Sequence, residues 1–103
     1  MKKTLSFCAL AIFAFACGGS APNQADLNEG KEIYKKYCVA CHGENGELAL
    51  NGAKKFPEST LAVEERVLVI TNGRNMMTPF KGLLNEKEIE AVAAYTMVLS
   101  KKE

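Results

Sequence analysis

Apolar residues recur at steps of three and four through much of this chain, and no segment shows the two-residue alternation of a half-buried strand. Leu27, Gly30, Ile33, Tyr34, Tyr37, Cys38 and Cys41 form the first such series, with Asp26 ahead of it and Glu29 three residues on. This pattern predicts an amphipathic helix capped at Asp26, whose inner face ends in two cysteines. Val63, Val67 and Ile70 predict a second helix, starting at Ser59 or Thr60 and stopping at Asn72-Gly73, a natural left-handed end. The last helix is the best marked. Asn85 caps it, Glu88 completes the box, and Leu84 can staple onto Ile89. Val92, Tyr95 and Leu99 then make an apolar stripe, with Ile89, Ala93 and Met97 beside it, so the helix is expected to be buried over a wide arc. Residues 43–57 are rich in Gly, Asn and Lys, with Leu48, Leu50 and Phe56 scattered among them, and read as a loop wrapping something apolar. Residues 76–82 cannot continue a helix past Pro79 and form a second loop. The expected fold class is all-α, with three to four helices.

The beginning of the chain reads as an address. Lys2 and Lys3 precede an apolar run over residues 5–15, too short to span a bilayer, and Ala14-Phe15-Ala16 offers small residues before a cut. Residues 1–16 are therefore expected to be a signal peptide, which places the mature protein on the periplasmic side of a membrane. Cys17, followed by Gly18-Gly19-Ser20, resembles a bacterial lipoprotein processing site, where the thiol is acylated and becomes the new N-terminus. The competing expectation is ordinary cleavage with Cys17 incidental. Residues 17–25 then serve as lipid-anchor site and flexible tether, and residues 26–103 form one domain.

Composition narrows the picture further. At 103 residues with 48% apolar content the chain suits one small folded domain, near the size where a protein core alone is barely enough. The formal charge of +1 becomes −1 without Lys2 and Lys3, with eleven basic against twelve acidic residues, and so gives no field that would attract nucleic acid.

The chemistry concentrates at Cys38-Val39-Ala40-Cys41-His42. On one helical turn two thiols three residues apart face the same way, as thioether formation with the two vinyl groups of a haem requires, and His42 then falls beneath the iron. A thiol–disulfide enzyme also uses C-x-x-C, but normally after a strand in a βαβ unit. A structural zinc site needs about four ligands, and outside the leader these three residues exhaust the cysteines and histidines apart from Cys17. A structural disulfide beside an unrelated histidine is the third rival. Covalent haem c, one per chain, accounts for the motif best. His42 is the only histidine, so methionine is the next candidate for the far side of the iron. Met1 lies in the leader and Met97 reads as apolar filler on the last helix. Met76 and Met77 remain, and periodicity and spacing do not separate them.

These motifs, in order, resemble the class I mono-haem cytochrome c family across essentially the whole domain. The resemblance is carried by Cys38 to Gly43, Ile70-Thr71-Asn72-Gly73, Met77-Thr78-Pro79-Phe80, and the segment from Ile89 to Tyr95. It implies the cytochrome c fold wrapped around one covalently bound haem, with Cys38 and Cys41 as attachment points and His42 as one iron ligand. It selects Met77 as the other, and it implies a helix crossing built on Gly30, Tyr34, Val92 and Tyr95. Many members have Gly-Pro or Ala-Pro in the first loop, where this chain reads Gly52-Ala53-Lys54-Lys55-Phe56, so the carbonyl that orients His42 is left open. The function implied is that of a monomeric single-electron carrier, not an enzyme, serving redox partners such as a quinol-oxidising complex, a terminal oxidase or a dehydrogenase. The alternative is a haem sensor or peroxidase-like module with a displaceable ligand. Lys35, Lys36, Lys54, Lys55, Lys81 and Arg74 fall near the expected haem rim, but a solvated face interleaved with Glu explains them without a partner. Tyr37 and Phe80 are expected to pack as walls of the haem site.

Overall fold

A computed structural model describes residues 21–101; the leader, Cys17 and Gly18-Gly19-Ser20 lie outside the described residues. The described chain holds four helices: α1 (Gln24–Tyr37), α2 (Val39–His42), α3 (Val63–Asn72) and α4 (Glu86–Leu99). Single 3-10 turns at Leu50–Gly52 and Phe56–Glu58 interrupt the first loop. Among the described residues there is no strand, only isolated bridges between Arg74 and Met77 and between Lys81 and Leu84. The domain is all-α, as its periodicity implies.

Helix α1 begins earlier than expected. Asn23, not Asp26, is its cap: the Asn23 side chain accepts from the Asp26 N–H at 2.9 Å, and the Asp26 carboxylate accepts from the Asn23 N–H at 3.2 Å. Asp26 therefore sits three residues inside the reciprocal box. Gln24 and Ala25, read as the end of the tether, belong to the helix. Helix α3, by contrast, begins later than Ser59 or Thr60. The Ser59 hydroxyl accepts from the Leu61 N–H at 3.3 Å, a local turn that competes with helix, and α3 starts after Ala62, whose N–H donates to Glu65 at 2.8 Å. Its end at Gly73 and the Asn85–Glu88 box of α4 fall where the pattern puts them.

The core lies where α1 crosses α4, the most extensive helix pairing, with α3 also packed against α4. Gly30 makes the crossing possible: a Cβ there would collide with the Ala91 carbonyl and sit 3.0 Å from the Tyr95 Cβ. Tyr34 and Val92, each 1% exposed, fill the crossing, and the Tyr34 and Tyr95 rings lie 5.3 Å apart at a tilt. The Tyr34 hydroxyl donates to the Gly43 carbonyl, tying α1 to the residue that follows the C-x-x-C-H turn. Ile33, Ile70, Phe80, Leu84, Ile89 and Ala93 complete the buried cluster.

Candidate functional site

The chain from Cys38 to His42 is set by backbone hydrogen bonds at its near end and by the first loop at its far end. Cys41 and His42 donate to the Cys38 carbonyl at 3.3 and 2.9 Å, which closes the turn that carries both thiols. Leu48 N–H donates to the His42 carbonyl at 3.0 Å, and Phe56 N–H to the Gly46 carbonyl at 2.9 Å, so the loop doubles back beneath His42. The Phe56 ring then stacks on the imidazole, with centroids 4.6 Å apart. His42 Nδ1 faces the Lys54 carbonyl at 3.2 Å. A carbonyl only accepts, so Nδ1 carries the proton and Nε2 keeps its lone pair. This supplies the orienting carbonyl that the departure at Gly52 to Phe56 left open.

Electrostatics favours the same state. Burial lowers the pKa of His42 below its usual 6.5, against the opposing pull of the Lys54 carbonyl, so the ring is neutral at neutral pH. Burial also pushes the Cys38 thiol up to about 11, helped by the neighbouring Cys41. Both thiols are free, in contrast to the structural-disulfide rival. Among the described residues no three His, Cys, Asp or Glu side chains converge, as a zinc site would require.

The second loop approaches from α3. Phe80 N–H donates to the Ile70 carbonyl at 2.9 Å and Lys81 N–H to the Thr71 carbonyl at 3.1 Å, so the loop folds back along the end of the helix. Gly73, with φ of 70°, allows the return: a Cβ there would lie 2.6 Å from the Met77 carbonyl and 2.9 Å from Pro79 N. The return separates the two methionines. Met76 is 77% exposed, whereas Met77 is half-buried and packs against the core.

Between the loops opens a cavity of about 440 Å³ that brings Cys38, Cys41, His42 and Met77 to one space. Met76 also reaches its lining; Met97 does not, as expected of a filler on α4. Tyr37 and Phe80 form part of the wall, with ring centroids 5.7 Å apart edge to face. Lys54 and Arg74 line the cavity, while Lys35 pairs with Glu32 at 3.7 Å and Lys36 lies over the Tyr37 ring. The donor set fits a haem: two thiols on one turn, one imidazole with a free Nε2, a thioether on the opposing loop, and mainly apolar walls.

Two lining residues carry chemistry that the sequence reading passed over, Arg66 of α3 and Thr96 of α4. Arg66 is 4% exposed; its Nε donates to the Leu61 carbonyl at 3.1 Å, and its Nη1 to the Thr96 carbonyl and hydroxyl at 3.0 and 3.1 Å. Its position four before Ile70, on the apolar stripe of α3, is the signal that marks it.

Comparison with known proteins agrees with this geometry. Residues 25–95 match the family described as "Cytochrome C oxidase, cbb3-type, subunit III". The chain is 34% identical to a cytochrome c6 of Nostoc sp., covering 94% of this chain and 93% of that protein. It is 38% identical to a cytochrome c6 of Leptolyngbya boryana over 76% of this chain and 98% of the other. To a cytochrome c6 of Porphyra purpurea it is 33% identical, over 99% and 98% of the two chains.

Proposed function

The chain belongs to the class I mono-haem c-type cytochromes, electron carriers with covalently bound haem c, and from that premise we propose that it is a periplasmic carrier whose haem is joined to Cys38 and Cys41 and ligated by His42 and Met77. The observation that carries the reading is the single cavity onto which the C-x-x-C-H turn and the half-buried methionine of the second loop both face. When bound, haem c supplies reversible one-electron chemistry at its iron.

The protein's own groups do the rest. The Lys54 carbonyl holds the Nδ1 proton and so presents Nε2 as the ligand atom, with Phe56 fixing the ring plane. The bonds from Phe80 and Lys81 to the end of α3 hold Met77 in place, and its burial relative to Met76 supports the choice between them. If His42 and Met77 both held the iron, no position on it would be left for a substrate, which favours a carrier over a sensor or peroxidase-like module. Tyr37, Leu50 and Met76, exposed by 39%, 50% and 77%, line the cavity beside Lys54 and Arg74 and give its mouth an apolar rim with positive charge. Such a rim suits brief docking to a redox partner of the kinds named above.

The mature chain, denatured and weighed, should carry the added mass of one haem, and the doubly substituted Cys38→Ser, Cys41→Ser chain should lack it. An unmodified wild-type mass contradicts the attachment. Export and retention at the membrane through acylated Cys17 belong to the same reading and rest on the sequence. If they hold, wild-type protein fractionates with membranes and Cys17→Ser protein becomes soluble while still exported; wild-type protein found wholly in the soluble fraction argues for an untethered carrier.

A further inference from the structure

The cavity has a charge imbalance that the carrier reading leaves unexplained. Its lining includes Lys54, Arg66 and Arg74 and not one Asp or Glu. Lys54 and Arg74 are on loops at the surface, where water screens them. Arg66 is in the interior, 4% exposed, and a buried guanidinium is costly unless an anion compensates it. Among the described residues none does so. Its acceptors, the Leu61 carbonyl and the Thr96 carbonyl and hydroxyl, are neutral, and among the described residues the one ion pair is Lys35 with Glu32.

The hydrogen bonds also show which part of the group remains available. A guanidinium has five N–H donors, and Nε and Nη1 spend three of them on these acceptors. The two on Nη2 are left, and no buried side-chain nitrogen of the described residues lacks a partner, so Nη2 borders open space. The space that Arg66 lines is the cavity. The group is also held rigidly. The Thr96 hydroxyl donates to the Ala93 carbonyl at 2.7 Å and so meets Arg66 only as an acceptor, and the Phe56 ring lies 5.7 Å from the guanidinium carbon. Phe56 in turn stacks on His42, which puts the cation on the histidine side of the cavity.

We propose that Arg66 binds a propionate carboxylate of the haem through Nη2, forming an ion pair inside the domain that keeps this carboxylate ionised in both oxidation states. The proposal rests on the haem-holding reading above. A haem brings two carboxylates and no cation, so it supplies the charge that the cavity lacks. A charge-assisted bond to a prepositioned guanidinium is the strong kind. Arg66 is a positioning residue here: it holds the propionate, and through it the iron, in one electrostatic state. The other titratable groups lining the cavity are Tyr37, Lys54 and Arg74, with the cysteines and His42 engaged by the haem; α4 contributes only the uncharged Val92 and Thr96.

The test is the reduction potential as a function of pH. An ion-paired carboxylate has its pKa depressed and does not titrate near neutrality, so the wild-type potential should be flat between about pH 5.5 and 8. In Arg66→Gln, which keeps a donor toward Thr96, the desolvated propionate should have a raised pKa that rises further on reduction, so the potential should fall with increasing pH across this range. Arg66→Lys keeps the charge and should restore a flat profile, and Thr96→Val, which removes an acceptor but no charge, should stay flat. An Arg66→Gln profile as flat as that of Thr96→Val overturns the proposal and leaves Arg66 a purely structural link between α3 and α4. Should Arg66→Gln fail to fold, redox difference infrared spectra of the wild type with each propionate isotopically labelled in turn decide: one propionate that stays ionised in both oxidation states at about pH 6 is expected, and protonation of both overturns the pairing. Absence of covalent haem in the wild type would instead sink the parent reading, and its denatured mass shows that independently.

Discussion

His42 shows how much of the site depends on the state of one ring. Burial holds its pKa below 6.5, so the folded chain resists a proton that the unfolded chain accepts on acidification. Because the unfolded state binds more protons in that window, folding stability rises with pH through it; the contribution is complete above about 6.5 and is lost as pH falls below that value. Ligation of Nε2, as proposed for the haem-bound protein, would push in the same direction. The midpoint of chemical denaturation should therefore decline as pH drops from 6.5 toward 5, before the carboxylates titrate, and with one histidine in the chain no other imidazole can produce the effect. A midpoint constant over that range contradicts this account of His42. At this scale the reactive residues were legible, since thiols and an imidazole at fixed spacing state their chemistry. Their supports were not. The Lys54 carbonyl is backbone, which any residue supplies, and Arg66 resembles an ordinary surface charge until its place on the apolar stripe of α3 is noticed.

Among the elements, the α1–α4 crossing sets the frame on which the C-x-x-C-H turn is hung. Its closeness depends on Gly30, where an added Cβ would strike the Ala91 carbonyl, a backbone atom with no rotamer to yield. Gly30→Ala should cost about 1 to 3 kcal/mol of stability by forcing the helices apart, despite the better helix propensity of alanine. Equilibrium denaturation measures it, and an unchanged or raised midpoint would mean that the crossing is looser than this geometry. Helix identity was legible from periodicity throughout, and so was the cap of α4, where Asn85 has no rival nearby. At α1 two cap residues stand three apart, and only the reciprocal bonds show that Asn23 is the cap and Asp26 the partner. At α3 the Ser59 hydroxyl is spent on the Leu61 amide, so a good cap residue marks a turn instead.

For the molecule as a whole, cofactor and core are inseparable. Two loops and all four helices converge on a cavity of about 440 Å³, a large void for a domain this small, so the apolar contacts that would close a conventional core are left to the haem. That need was visible in the chain's length, and the motif said what would meet it. The shape of the cavity was not visible, because it depends on the second loop returning along α3 through Gly73, a long-range arrangement that hydrophobic periodicity does not encode. The same return packs Met77 against the core and leaves Met76 exposed at the rim of the cavity, and on it rests the proposal that His42 and Met77 would together hold the iron and the protein only carries electrons. The near-infrared absorbance of the oxidised protein tests that claim most directly, because a weak sulfur-to-iron band is present only when a methionine is bound. The band should appear in the wild type and in Met76→Ala and vanish in Met77→Ala; its absence from the wild type, or its loss in Met76→Ala with survival in Met77→Ala, would contradict the account.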